Sequence, residues 1–204
     1  MILRSSQILN SNRMTMHQSA VREMVERVIE LSRSYAIWWE LVEKSNFDQF
    51  ARVRGNHKDF FDATIHSLFQ GFAIISYQLF DKRTDSTSLR VLINSKSTDS
   101  VLARQLNDAI DLKLPLLKKV FAIRNKVYGH RDKSRLPEAL FEEAGMSPSL
   151  MREILDLARD VVCALAESAG LDTKADLEKE ILWREKYARE DTRLIMQTLG
   201  EQAI

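Results

Sequence analysis

The sequence predicts an all-α protein, a single-domain helical bundle with a charged C-terminal helix. Three observations carry that expectation. Apolar residues recur at spacings of three and four along most of the 204 residues, the mark of helices with one buried face. Six glycines and three prolines supply too little turn chemistry for a fold of many short strands. No segment alternates apolar and polar residues for long enough to read as a strand. The expected division is a poorly ordered N-terminal segment (1–17), the bundle (18–171), and a C-terminal helix (172–204) that packs on the bundle or on a partner.

Val21, Val25, Val28, Ile29, Ser32, Tyr35, Ala36 and Trp39 form the stripe of a first long helix, from about residue 18 to 45. Trp38 and Trp39 are neighbours on that helix, so they should not both enter one core; one is expected at a dimer contact. "SNFDQFARVRGN" (45–56) reads as a loop or short turn with Gly55 as breaker. A second long helix, about 57–82, has Phe60, Phe61, Thr64, Leu68, Phe72, Ile75 and Leu79 on its apolar face. Its stripe is wide, which predicts a central position among several neighbours.

Asp85, Ser86 or Thr87 is the expected cap of a short helix around "SLRVLIN", and Ser97, Thr98 or Asp99 that of the next. Pro115 forces a kink or fresh start near Leu114. From there Leu116, Leu117, Val120, Phe121, Ile123 and Val127 continue a helix to Tyr128, and Gly129 stands where helices often end. "PEALFEEAG" (137–145) follows as a short helix. Ser147 and Pro148 start another, which Gly170 ends. In the last segment, about 173–198, Leu177, Ile181, Tyr187, Ala188 and Ile195 are expected on one side.

One cysteine excludes an intrachain disulfide framework and fits a reducing cytoplasm. Cys163 lies among helix-compatible apolar residues, as a small core residue would. Apolar runs such as "FAII" (72–75) are far shorter than the ~20 residues of a membrane-spanning helix. A cytoplasmic protein without a membrane partner is expected.

The charge is unevenly distributed. Lys113, Lys118, Lys119, Arg124, Lys126, Arg131, Lys133 and Arg135 face only Asp132 within residues 113–135. That window carries +7, and because the whole chain sums to +1, the remainder carries −6. A field of this kind attracts phosphate-bearing polymers. Cations at a helix C-terminus are worth only ~0.3–1 kcal/mol each through the macrodipole. That does not explain the positive charge continuing past Gly129.

Arg124 and His130 are six residues apart, so on one unbroken helix they would point about 120° apart. If the helix ends at Gly129, His130 can fold back beside Arg124. Arg124 is a permanent cation that grips phosphate oxygens with two parallel donors. His130 can exchange a proton at cellular pH. The pair suits RNA cleavage without a metal: the imidazole assists attack by a ribose 2′-hydroxyl, and the guanidinium stabilises the transition-state charge. Asn125 is placed to orient the phosphate or His130. Tyr128 could stack on a base, although helix-end packing is the simpler account. Lys126, Arg131 and Lys133 complete an RNA-binding surface.

The run "IRNKVYGHRDKS" (123–134) resembles the signature of the HEPN superfamily, an Arg followed by four to six residues and a His within a helical bundle. Five residues separate Arg124 from His130, and Asn125 fills the polar place after the Arg. The stretch 60–93, "FFDATIHSLFQGFAIISYQLFDKRTDSTSLRVLI", is similar to the abortive-infection branch of that superfamily. The resemblance implies a homodimer whose motifs face each other across a cleft. It also implies metal-independent endoribonuclease activity in toxin or phage-defence systems, with an antitoxin protein as a possible partner and no cofactor. Some members only bind, so the alternative is a non-catalytic module for nucleotide, RNA or an acidic protein.

Other chemistry finds little support in the residues. Asp62 and His66 could share a helical face as metal ligands, but no further pattern completes a site. Asp81, Lys82 and Arg83 could approach the cleft; a surface salt bridge is the simpler reading. Glycine-rich phosphate loops and nucleophile elbows are absent from the sequence. Trp183 is expected to pack on the bundle or against another subunit.

Overall fold

The computed structural model describes residues 15–129 and 145–202, with side chains omitted at 47–49, 126–129 and 202. Among the described residues there are nine helices and no strand. They are α1 (Met16–Val42), α2 (Lys44–Gln49), α3 (Ala51–Asn56), α4 (Lys58–Phe80), α5 (Leu89–Ile93), α6 (Ser100–Leu112), α7 (Leu114–Gly129), α8 (Pro148–Ser168) and α9 (Lys174–Gln202). None is long and apolar enough to cross a membrane.

Local chemistry sets most boundaries. Thr15 and Gln18 form a capping box, each side chain accepting from the other's backbone N–H. The helix therefore starts two residues earlier than its apolar stripe indicates. Asp99 caps α6 by accepting from Val101 and Leu102. Ser147 caps α8, with Pro148 in the first turn. Gly170, at φ +68°, closes that helix in the left-handed region glycine tolerates. The cap of α5 is Ser88 rather than Asp85, Ser86 or Thr87, because its hydroxyl also donates to the Asp81 carbonyl. The expected loop at 45–56 holds the two short helices α2 and α3. The expected helix at 137–145 lies outside the described residues, apart from its last glycine.

The centre of the bundle is α1, along which α9, α4 and α8 all pack, and α4 itself meets α1, α7, α5 and α3, as its wide stripe predicts. The encirclement of α1 is why Trp38 is buried and Trp39 still reaches the same core from its margin. Their rings stand 6.2 Å apart, so the two adjacent tryptophans share one core after all. On α4, Phe61, Phe69, Phe72, Leu79 and Phe80 are buried, whereas Phe60 faces outward. Leu116, Leu117, Val120 and Ile123 seat α7 against the same core. Burying a side chain of this size contributes ~1.5–3 kcal/mol each.

The buried face of α9 runs Leu177, Ile181, Glu185, Ala188, Thr192, Met196. Tyr187 and Ile195, expected on that face, are exposed instead. Two polar residues take part because the fold supplies partners. Glu185 is held by Arg152 of α8 and by Arg189, and Thr192 donates to the Ala188 carbonyl.

Cys163 is buried in α8 among core residues, as its apolar neighbours predict. Burial pushes its thiol from 9.0 up to about 11. Native protein at pH 7–8 should therefore resist a thiol-specific reagent and react fully once unfolded; prompt native labelling would contradict the placement. The buried neutral thiol supports stability below pH 9, and that contribution fades as pH rises from 9.0 towards about 11.

Candidate RNA-binding and cleavage site

The site is built where the C-terminal ends of α4 and α7 meet. Pro115 lies in the first turn of α7, where its missing N–H costs nothing. The helix then runs on through Gly129, one residue past the expected Tyr128. Along it Phe121 and Arg124, three residues apart, face α4. The Phe121 ring meets the Tyr77 ring edge-on at 5.2 Å. The Arg124 guanidinium lies over the same Tyr77 ring, 4.5 Å from its centroid. Its Nη1 donates to Asn125 Oδ1 at 3.1 Å.

Tyr77 thus holds a partly exposed cation in one orientation by cation–π attraction, worth ~0.5–1 kcal/mol at such a site. Asn125 touches Arg124 directly, which makes it an orienting neighbour of the cation. The residues themselves carry no sign of this pairing, because Tyr77 and Arg124 meet only through helix packing. A tyrosine near the end of a helix that already resembles the family was the one available hint.

Two cations of the positive window have partners on the protein itself. Lys113 is paired with Glu153 of α8 at 2.7 Å, and Lys119 donates to the Gly145 carbonyl at 3.0 Å. Those two cations serve the fold. Lys126 and Tyr128 lie in the last turn of α7 by backbone position. His130, Arg131 and Lys133 lie outside the described residues.

On the α4 side, Asp81 and Arg83 form the salt bridge expected of them, Nε to Oδ2 at 2.8 Å. That hydrogen bond, then the Asp81 charge, then Tyr77, raise the Arg83 pKa above its usual value. Nearby, Arg90 and Asp111 pair at 2.6 Å. The Arg90 hydrogen bond holds the Asp111 carboxyl below its usual range, with Lys82 adding to the effect. Asp62, considered above as a metal ligand, is bound to Lys58 at 3.0 Å, and His66 hydrogen-bonds Gln70. Among the described residues, no three His, Cys, Asp or Glu side chains are grouped to hold a metal.

The sequence profile of the HEPN_AbiU2 family, described as AbiU2, matches residues 18–182. The chain belongs to the HEPN_AbiU2 family. The match places the chain in the Abi-related branch of the HEPN superfamily, whose helical bundle agrees with the nine helices described above. The match takes in α1 to α8 and the first part of α9, so it spans every element of the candidate site. Searches of curated proteins and of solved structures found no match.

Proposed function

We propose that this HEPN protein is a metal-independent endoribonuclease of toxin or phage-defence type, acting as a homodimer with a composite site. The observation that carries the reading is Arg124, oriented on Tyr77 at the end of α7, six residues ahead of His130 in the family's motif. RNA is the substrate, and an antitoxin protein is the natural partner of such a toxin. In the reaction, the ribose 2′-oxygen forms a bond to the adjacent phosphorus as the bond from phosphorus to the 5′-oxygen breaks. His130 takes the 2′-hydroxyl proton, and a second imidazole from the facing motif gives one to the departing 5′-oxygen. Arg124 stabilises the charge on the pentacoordinate phosphate. Asn125 keeps the guanidinium in line, while Lys126, Arg131 and Lys133, with Tyr128, hold flanking RNA.

The purified protein is expected to cut RNA in EDTA, leaving 2′,3′-cyclic phosphate ends. Inertness towards structured and unstructured RNA pools at every concentration that supports a dimer would remove the reading.

A second reading, a non-catalytic HEPN module that binds nucleotide, RNA or an acidic protein, draws on Lys113 and Lys119. Lys113 is paired with Glu153, so the local field is weaker than the +7 of the window, whereas Lys119 bonds a neutral carbonyl and keeps its charge.

A further inference from the structure

We propose that Arg83, in the turn that follows the Tyr77 end of α4 and fixed in direction by Asp81, is a second phosphate-gripping residue of the same site. The inference deepens the RNA-cleaving reading and rests on it for the identity of the substrate. It begins with the turn that follows α4. Asp81 accepts twice from Arg83, from the backbone N–H at 3.1 Å and from Nε at 2.8 Å. The Ser88 hydroxyl donates to the Asp81 carbonyl at 2.8 Å, which locks the turn from the other side.

The two partners are very unequally exposed: the Asp81 side chain is 6% exposed and that of Arg83 63%. The carboxylate sits at the negative end of the α4 dipole, an unfavourable place for an anion. What it gains there is Arg83. Binding through Nε uses one edge of the guanidinium and leaves both Nη groups, with four N–H donors, towards solvent. Among the described residues, neither Nη of Arg83 has a hydrogen-bond partner.

Tyr77 lies one turn before Asp81 on α4. Its ring carries Arg124, and its phenol contributes to the raised pKa of Arg83. One guanidinium therefore rests on the Tyr77 ring, and another is held by Asp81 in the turn that ends the same helix. Helix-dipole compensation needs one cation at each helix end, and it needs no carboxylate to clamp either of them. A strand of RNA with one phosphate on Arg124 would find the donors of Arg83 for a neighbouring phosphate.

The test is the affinity of a single-stranded RNA oligonucleotide for the full-length His130→Ala protein, titrated over a series of salt concentrations. In that background, Asp81→Asn/Arg83→Gln removes the cation without leaving a buried carboxylate unpaired. The pair is expected to weaken binding roughly tenfold, and to make the salt dependence shallower by about 0.7 in log K against log salt. Unchanged affinity and slope in a protein whose circular dichroism is native would overturn the proposal. If wild type cuts RNA and the slope is unchanged, the Arg83 contact fails alone and the cleavage reading stands. If wild type is inert and the slope still falls, the Arg83 contact stands and the cleavage reading fails. No RNA binding by any of these proteins sinks both.

Discussion

Replacing His130 by alanine is expected to lower the rate of RNA cleavage by ~10²–10⁴, the usual worth of a positioned proton-transfer group. Arg124→Ala should cost ~10²–10³, the loss that follows removal of one donor to a developing oxyanion. The double variant should lose little beyond the worse single variant, because residues acting on one transition state do not contribute additively. Arg124→Lys keeps the charge but not the planar fork that lies on Tyr77, so it should recover only part of the rate. The pH profile adds a second readout. The log of kcat/KM of wild type should bend near ~6–7, where an imidazole titrates, and the residual activity of His130→Ala should lack that bend. Equal activity of wild type and His130→Ala, with both proteins folded and dimeric, would defeat the assignment.

The second large effect concerns stability. Glu40 of α1 has a side chain only 2% exposed, and Arg193 of α9 grips it with Nε at 2.7 Å and Nη2 at 3.0 Å. Asn46 adds a hydrogen bond at 2.7 Å. Arg193→Ala would leave the buried carboxylate with Asn46 alone among these partners. Breaking a fully buried pair costs ~3–5 kcal/mol. Here the Arg193 side chain is 54% exposed, so solvent screens the pair and ~2–3 kcal/mol is expected. In a chain of this size that lowers the melting temperature by roughly 5–10 °C. Glu40→Gln/Arg193→Met, which removes both charges, should lie closer to wild type than Arg193→Ala does. An unchanged denaturation midpoint for Arg193→Ala would show that the pair does not hold α9 to α1.

The contrast between those two predictions follows from what each residue type announces. Arg124 and His130 can be picked out as candidates because they stand six residues apart in one short charged run. Glu40 and Arg193 are 153 positions apart, and nothing local marks either as buried. The same division runs through the helices. Asp99, Ser147 and Gly170 are readable because caps are made by atoms within a few residues. Ser88 is misread because its preference over Thr87 depends on a carbonyl seven residues away. On α9 a search for apolar residues selects Tyr187 and Ile195. The packed stripe instead includes Glu185, which is admissible only because Arg152 arrives from α8.

By itself, then, the sequence determined the all-α class, most helix ends and the core role of Cys163. Each of these depends on neighbours along the chain. Only the tertiary structure decided that α1 occupies the centre, that both adjacent tryptophans reach one core, and that Arg124 rests on Tyr77. Those outcomes depend on which helix faces meet, and a face is chosen by the summed burial and pairing of residues far apart in the chain.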